Sequence, residues 1–245
     1  MQLKIKIFLL RFLKNFLKQI YLFPLNLSLF ESQRKLALED SQEFIYKNSS
    51  TNTLLFSGLN AHDDLHKHCL KNINKEGLIL EFGVFKGKSI NFLSNILKNK
   101  GDNRFIYGFD SFKGFSEEWT GINNKYPKKY FNQNGKLPLV NSNVKLITGF
   151  IEESLPIFLK QNVIDQVAFI NIDTDTYTPA KCVLSKLKKY FKSGTIILFD
   201  EFCGYPNWRN HEFKALNEEL KPNEYEFIGF CAKNSIFIKA AIRIL

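Results

Sequence analysis

Between residues 77 and 200 the chain alternates short apolar runs with segments of helical spacing, and no other feature restricts its fold as strongly. The runs GLILEF, RFIYGF, VKLIT, VAFINI and TIILFD read as strands. Helices are expected from about Lys88 to Leu97, Glu152 to Lys160 and Pro179 to Phe191. Strands that alternate with helices call for a mostly parallel sheet, because the crossover helices bury both of its faces. Further on, a helix from about Trp208 to Leu220 precedes YEFIGF and SIFIKAAI, two runs close enough to pair as an antiparallel hairpin. The expected class is α/β: a Rossmann-like, mostly parallel seven-stranded sheet with helices on both faces and an antiparallel C-terminal hairpin.

Two helices are expected ahead of that pattern, from about Phe30 to Lys47 and from about Ala61 to Ile73, separated by the polar stretch NSSTNT. From Lys4 to Leu22 the chain is strongly apolar, but Lys4, Arg11, Lys14, Asn15 and Lys18 recur at helical spacing. That pattern suits neither a membrane span nor a signal peptide, which need an uninterrupted apolar centre. It is an amphipathic basic helix, which either packs on the domain or a partner subunit or lies peripherally in a membrane interface. Residues 1–48 are thus expected to form a helical extension and residues 49–245 one domain, a size that supports a full core. Within the domain, residues 111–143 are an insertion.

Composition narrows the partners. With 44% hydrophobic and 24% charged residues the chain is an ordinary folded protein. Its net charge of +10 is nearly all lysine, with arginine only at 11, 34, 104, 209 and 243. Phosphate clamping favours arginine, so no nucleic-acid partner is expected. A small-molecule or glycan acceptor and a homo-oligomer remain. Cys69, Cys182, Cys203 and Cys231 have no C-x-x-C spacing, and a reducing cytoplasm is the default, with the inner membrane face as the site of any peripheral contact. His62, His66 and His68 lack a fourth ligand nearby and are not expected to bind metal.

In open α/β sheets ligands bind beyond the carboxyl ends of the strands. The first strand of the alternating pattern ends in E-F-G-V-F-K-G-K-S, residues 81–89. Gly83 and Gly87 permit a tight turn and close backbone approach, and Ser89 with the following helix amides can hold a carboxylate. The next strand ends at Asp110, where nucleoside-binding folds place the acceptor for ribose hydroxyls; a turn cap is the other reading. Two later strands end in Asp173-Thr174-Asp175 and Asp200-Glu201. Four clustered carboxylates repel one another unless protons or a hard divalent cation neutralise them. Solvated turn acids are the alternative.

Together these segments carry a resemblance. E-F-G-V-F-K-G-K-S resembles the glycine motif of catechol O-methyltransferase-like enzymes. Y-G-F-D-S-F-K-G-F, G-F-I-E-E-S-L-P, I-D-T-D-T-Y and F-D-E-F, in that order over residues 75–240, resemble the macrocin/mycinamicin sugar O-methyltransferase (TylF/MycF) family of class I methyltransferases. The resemblance implies S-adenosylmethionine as cofactor. Glu81, Gly83 and Ser89 would meet its methionine part, Asp110 its ribose, and Ile151 with Glu152 its adenine. Val84, Phe85, Gly87, Ser111 and Asp173 complete the implied cofactor set. A magnesium ion is implied at Asp173, Asp200 and Glu201.

The lysine base of the catechol enzymes falls at Thr176, and residues 111–145 contain no histidine to match that of the macrolide-sugar enzymes. The catalytic candidates are Asp173, Asp175 and His211, the last two as proton acceptors. The insertion, rich in aromatic and polar residues, suits a sugar platform or a lid. Pro206, Trp208, Arg209 and Glu212 are expected to form the opposite wall. The function expected is magnesium-dependent O-methylation of a sugar or glycoconjugate hydroxyl. The alternatives are an NAD-dependent oxidoreductase, disfavoured by the glycine spacing, and a non-catalytic cofactor-binding module recruited to a membrane or partner.

Overall fold

The strands of the alternating pattern carry apolar side chains on both faces, and in a computed structural model they form the centre of a three-layer α/β/α sandwich. The structure describes residues 29–71, 73–120, 128–232 and 237–245, so the amphipathic segment 4–22 lies outside the described residues. The strands are β1 (Leu54–Phe56), β2 (Leu78–Phe82), β3 (Ile106–Asp110), β4 (Val144–Thr148), β5 (Val167–Ile172), β6 (Phe191–Cys203), β7 (Tyr225–Ala232) and β8 (Ile238–Ile244). Their spatial order is β1-β7-β8-β6-β5-β2-β3-β4. Only β8 runs antiparallel to its neighbours, which are β6 and β7.

The seven expected strands are all present, and β1 adds an eighth at the sheet edge, parallel to β7. It has three residues, too few for an alternation to show against the polar stretch before it.

The helices are α1 (Leu29–Asn48), α2 (Ala61–Lys71), α3 (Lys88–Asn99), α4 (Ile151–Gln161), α5 (Tyr177–Leu187) and α6 (Glu212–Glu219). On one face of the sheet α2 and α3 pack Leu65, Leu70, Ile90, Leu93 and Leu97 onto Ile79, Phe169 and Leu198. The spacing of Ile90, Leu93 and Leu97 is that of one helix face, which is why α3 lies flat on the strands. On the other face α4, α5 and α6 bury Leu155, Phe158, Val183, Leu184 and Leu216 against Leu80, Ile170 and Ile197. Truncating any of these side chains to alanine is expected to cost about 2–5 kcal/mol.

The boundary at 48/49 falls between α1 and β1. Helix α1 is docked on the second face through its last turns, where the Phe44 ring lies 5.3–5.9 Å from Phe202, Trp208, Phe213 and Phe227. Asp40 accepts from Trp208 Nε1 at 3.0 Å and pairs with Arg209 at 2.8 Å, and Ser41 Oγ accepts from the Gly204 amide at 2.8 Å. These contacts brace the chain that leaves β6. No described helix is long and apolar enough to cross a membrane.

The described parts of the insertion are tied down at both ends. Near its start, the Phe115 amide donates to Lys128 O at 2.9 Å, and a Cβ on Gly114 would lie 2.0 Å from that oxygen. Near its end, Asn141 donates to Ser94 Oγ and to Asn95 Oδ1, each at 2.9 Å, while Ser94 donates to Asn143. The insertion therefore returns to the sheet along α3.

Candidate active site

The turn after β2 brings two sheet ends into contact. Gly83 has φ +90°, and a Cβ there would sit 1.8 Å from the Asp173 carbonyl oxygen at the end of β5, so only glycine lets these strand ends approach. The next residues turn back so that the amides of Val84 and Phe85 donate to Asp110 Oδ2 at 2.8 and 2.7 Å. Phe85 itself is left-handed, with φ 48°. Asp110 Oδ1 accepts from the Phe112 amide at 2.6 Å. One carboxylate at the end of β3 thus gathers three backbone donors, the role of a turn cap, while also facing the cleft.

That cleft is a cavity of about 180 Å³ beyond the carboxyl ends of β2, β3 and β5. Seven of the expected cofactor residues line it: Gly83, Phe85, Asp110, Ser111, Ile151, Glu152 and Asp173. Phe115, Ser116 and Phe131 of the insertion form its outer wall. Ser116 donates to Glu152 Oε1 at 2.8 Å, which leaves Oε2 buried and without a partner. Glu117 holds Thr178 at the start of α5, accepting from its amide at 2.7 Å and its hydroxyl at 2.6 Å.

The other four expected cofactor residues stand behind the wall. Glu81 is fully buried and accepts from Ser89 Oγ at 2.8 Å and from Asn171 Nδ2 at 3.2 Å. Burial raises its pKa to about 8, against the lowering effect of the Ser89 hydroxyl, so Glu81 is mostly a neutral acid at pH 7. Val84 and Gly87 shape the turn, with Gly87 left-handed at the start of α3. Ser89 is committed to Glu81.

At the β5 and β6 ends the carboxylates lack comparable donors. Asp173, Asp175 and Glu201 each present an oxygen, all within 4.8 Å of one another, and form the one potential metal-holding group among the described residues. Asp175 is held at φ 60°, a left-handed conformation costly for a residue with a side chain and one that aims its carboxyl inward. Burial raises Asp173 to about 6, with Lys239 opposing, and drives Asp175 and Glu201 well above the usual carboxylate range. Glu212, fully buried at the start of α6, accepts the Glu201 amide at 3.3 Å, and its other oxygen has no partner. Glu201 Oε2 is also buried and unpartnered.

Asp173 and Glu201 of the expected metal set are thus grouped with Asp175, and the Asp200 carboxylate is ion-paired with Lys239 of β8. Strand β6 bulges at the F-D-E-F segment, where its pairing with β8 shifts register between Phe199 and Cys203. Lys239 was not singled out from the sequence. Its signal was present, as the one charge in the otherwise apolar run IFIKAAI. Asn171, which donates to Glu81 from near the end of β5, was missed as well.

Of the two candidate proton acceptors, Asp175 lines the cavity and His211 does not. His211 is 4% exposed, with Nδ1 3.0 Å from the Tyr205 hydroxyl and Nε2 3.2 Å from Thr120 Oγ1. Burial lowers its pKa to about 4, so it is neutral. Of the wall expected at Pro206, Trp208, Arg209 and Glu212, Trp208 is buried against Phe44 and Phe213, Arg209 pairs with Asp40, and Glu212 lies behind Glu201.

A mostly parallel sheet with a reversed last strand, and a glycine turn facing an acidic β3 end, make this a Rossmann-like α/β fold. The family described as a methyltransferase domain matches residues 80–202, half of the chain, and the protein belongs to it. Among solved structures it is similar to the calicheamicin methyltransferase CalS11, with TM-score 0.55 and 20% identity over 92% of this chain and 84% of that one. An apo structure of CalS11, described as a TDP-rhamnose 3'-O-methyltransferase, aligns with TM-score 0.51 and 22% identity over 92% and 85%. The O-methyltransferase NovP aligns with TM-score 0.55 and 18% identity over 75% and 79%. These likenesses establish the fold. No curated protein matches the sequence.

Proposed function

We propose that this protein transfers the methyl group of S-adenosylmethionine to a hydroxyl of a sugar or glycoconjugate, with a magnesium ion held by Asp173, Asp175 and Glu201. One observation carries the reading: Asp173 and Asp175 belong both to the cavity and to the carboxylate trio, so a bound cofactor and a bound cation would share a wall. Residues 49–245 are taken as the methyltransferase domain, with 111–143 as its acceptor-side insertion.

The residues present fit both groups. The unpartnered Glu152 Oε2, beside the apolar Ile151, suits an adenine amino group. Three clustered carboxylates, Asp175 among them buried, suit a hard cation with oxygen ligands. When bound, the cofactor supplies an electrophilic methyl group and the metal supplies positive charge for the acceptor oxygen. The chain's own part is alignment and exclusion. Phe85, Phe115 and Phe131 close the outer side of the cavity and keep water from the transferring group. The backbone donors around Asp110 fix the β3 end of the cavity in advance, so little reorganisation is needed on binding. Of the two candidate acceptors Asp175 is the one that lines the cavity, which favours it to take the hydroxyl proton through the oxygen it does not give the cation.

The sugar reading draws on the motif resemblance to the macrolide-sugar enzymes and on the aromatic residues of the insertion; TDP-rhamnose is also the substrate named for one of the similar structures. Incubation with methyl-labelled S-adenosylmethionine, magnesium and a series of nucleoside-diphosphate sugars and glycosides tests it. Label should pass to at least one sugar, and EDTA should stop the transfer. Transfer only to protein, nucleic acid or a catechol would overturn the substrate class, and EDTA-resistant transfer the metal.

A further inference from the structure

Helix α1 docks on the domain mainly through its second half, and its earlier turns leave apolar side chains uncovered: Leu29 is 78% exposed and Leu36, two turns on and on the same side, 64%. Upstream of this helix the composition changes. Residues 1–30 contain Lys4, Lys6, Arg11, Lys14 and Lys18 and no acidic residue, so about one eighth of the chain carries half of its net charge of +10. At 3.6 residues per turn, Lys4, Arg11, Lys14 and Lys18 fall on one side of the segment 4–22, and Phe8, Leu9, Phe12, Leu13, Phe16 and Ile20 fall on the other. Lys6 stands off the basic stripe, but in the first turn, where its long side chain can reach back to water. Pro24 closes the pattern.

An apolar stripe with three phenylalanines needs cover. Both faces of the sheet are already occupied among the described residues, one by α2 and α3 and the other by α1, α4, α5 and α6. The basic stripe decides between the remaining covers. Packing on protein has no use for five basic residues without one acid, whereas anionic headgroups attract each of them. We propose that residues 4–22 lie as an amphipathic helix in the interface of an anionic lipid bilayer, with Phe8, Phe12 and Phe16 in the acyl boundary and Lys4, Arg11, Lys14 and Lys18 at the headgroups. Leu29 and Leu36 extend the apolar contact onto α1. That helix then links the lipid surface to the cleft: Asp40 and Ser41, about 17 Å along it from Leu29, hold Trp208, Arg209 and the Gly204 amide just beyond the end of β6. The inference is independent of the methyl-transfer reading.

Flotation of the full-length protein with phosphatidylcholine vesicles, pure or containing about 30% phosphatidylglycerol, tests it. Binding to the anionic vesicles should be about tenfold tighter or more than to the neutral ones, and should weaken about fivefold when salt is raised from roughly 0.1 to 0.5 M. Changing Lys4, Arg11, Lys14 and Lys18 together to Gln should weaken it about tenfold, as should Phe12→Ser with Phe16→Ser, each at the melting temperature of wild type. Equal binding to both vesicle types, binding insensitive to salt, or full binding by the glutamine variant would overturn the anionic partner; the first two need no variant to fold. Absence of wild-type binding to either vesicle would overturn the membrane contact. So would self-association in light scattering that the two serine substitutions dissolve while vesicle binding stays intact, since the apolar stripe would then join two copies of the chain.

Discussion

At the β3 end of the cleft, the Asp110 carboxylate receives three backbone amides and has no need of a counterion. At the β5 and β6 ends, Asp173, Asp175 and Glu201 converge with few donors, and burial drives all three toward protonation. The same side-chain chemistry is therefore stable by itself at one end and incomplete at the other. On the proposed reading the difference separates the two ligands: the first end, already satisfied by amides, would take the nucleoside, and the second, which Lys239 only partly offsets, would take the cation.

The largest expected effect comes from the incomplete end. Asp175→Asn should lower methyl transfer about 1,000-fold, since charge stabilisation by a metal is worth several kcal/mol and each ~1.4 kcal/mol is tenfold. Binding of S-adenosylhomocysteine should change by less than about fivefold, read by calorimetry. Equal losses in both would merge the two ends into one site.

Gly83→Ala tests the joint between them. The added Cβ meets the Asp173 carbonyl in a left-handed conformation, and stability should fall by ~3 kcal/mol, seen as a drop of roughly 6–12 °C in the melting temperature. A drop under 2 °C would mean that the strand ends are not held together.

Asp110→Ala breaks the self-sufficient end. It orphans three amides and should cost ~2 kcal/mol in a urea melt. Manganese affinity should be unaffected, and a tenfold change there would contradict the separation.

The smallest effect concerns Glu81, whose pKa rises from 4.5 to about 8 on burial. A carboxyl raised in the folded state favours folding most below its unfolded pKa, and that contribution is lost as pH rises through the folded value. The wild type should therefore melt progressively lower than Glu81→Gln between pH 4.5 and about 8, with no change in the difference below pH 4. A difference independent of pH would show that Glu81 is not buried as an acid.

Much of this comparison was legible in the sequence. Gly83, Asp110, Asp173 and Glu201 each directly follow or end an apolar run, and the parallel sheet dictates that such positions share one edge. Which of the four carboxylates stand together was not legible. It depends on a bulge in β6 and on a left-handed Asp175, and neither leaves a mark in residue type. Lys239 was hidden for a related reason: a single lysine in an apolar strand reads as an edge position until its neighbours on both sides are known. The docking of α1 through Phe44 and Asp40 was also out of reach, because that helix is polar around most of its circumference.

The central claim is that the cavity between Gly83, Asp110 and Glu152 holds S-adenosylmethionine. Calorimetry on the full-length protein with S-adenosylhomocysteine and, separately, with NAD tests it most directly. The account predicts saturable one-to-one binding of S-adenosylhomocysteine, weakened by Asp110→Ala, and no heat from NAD. Saturable NAD binding with none of S-adenosylhomocysteine would contradict it.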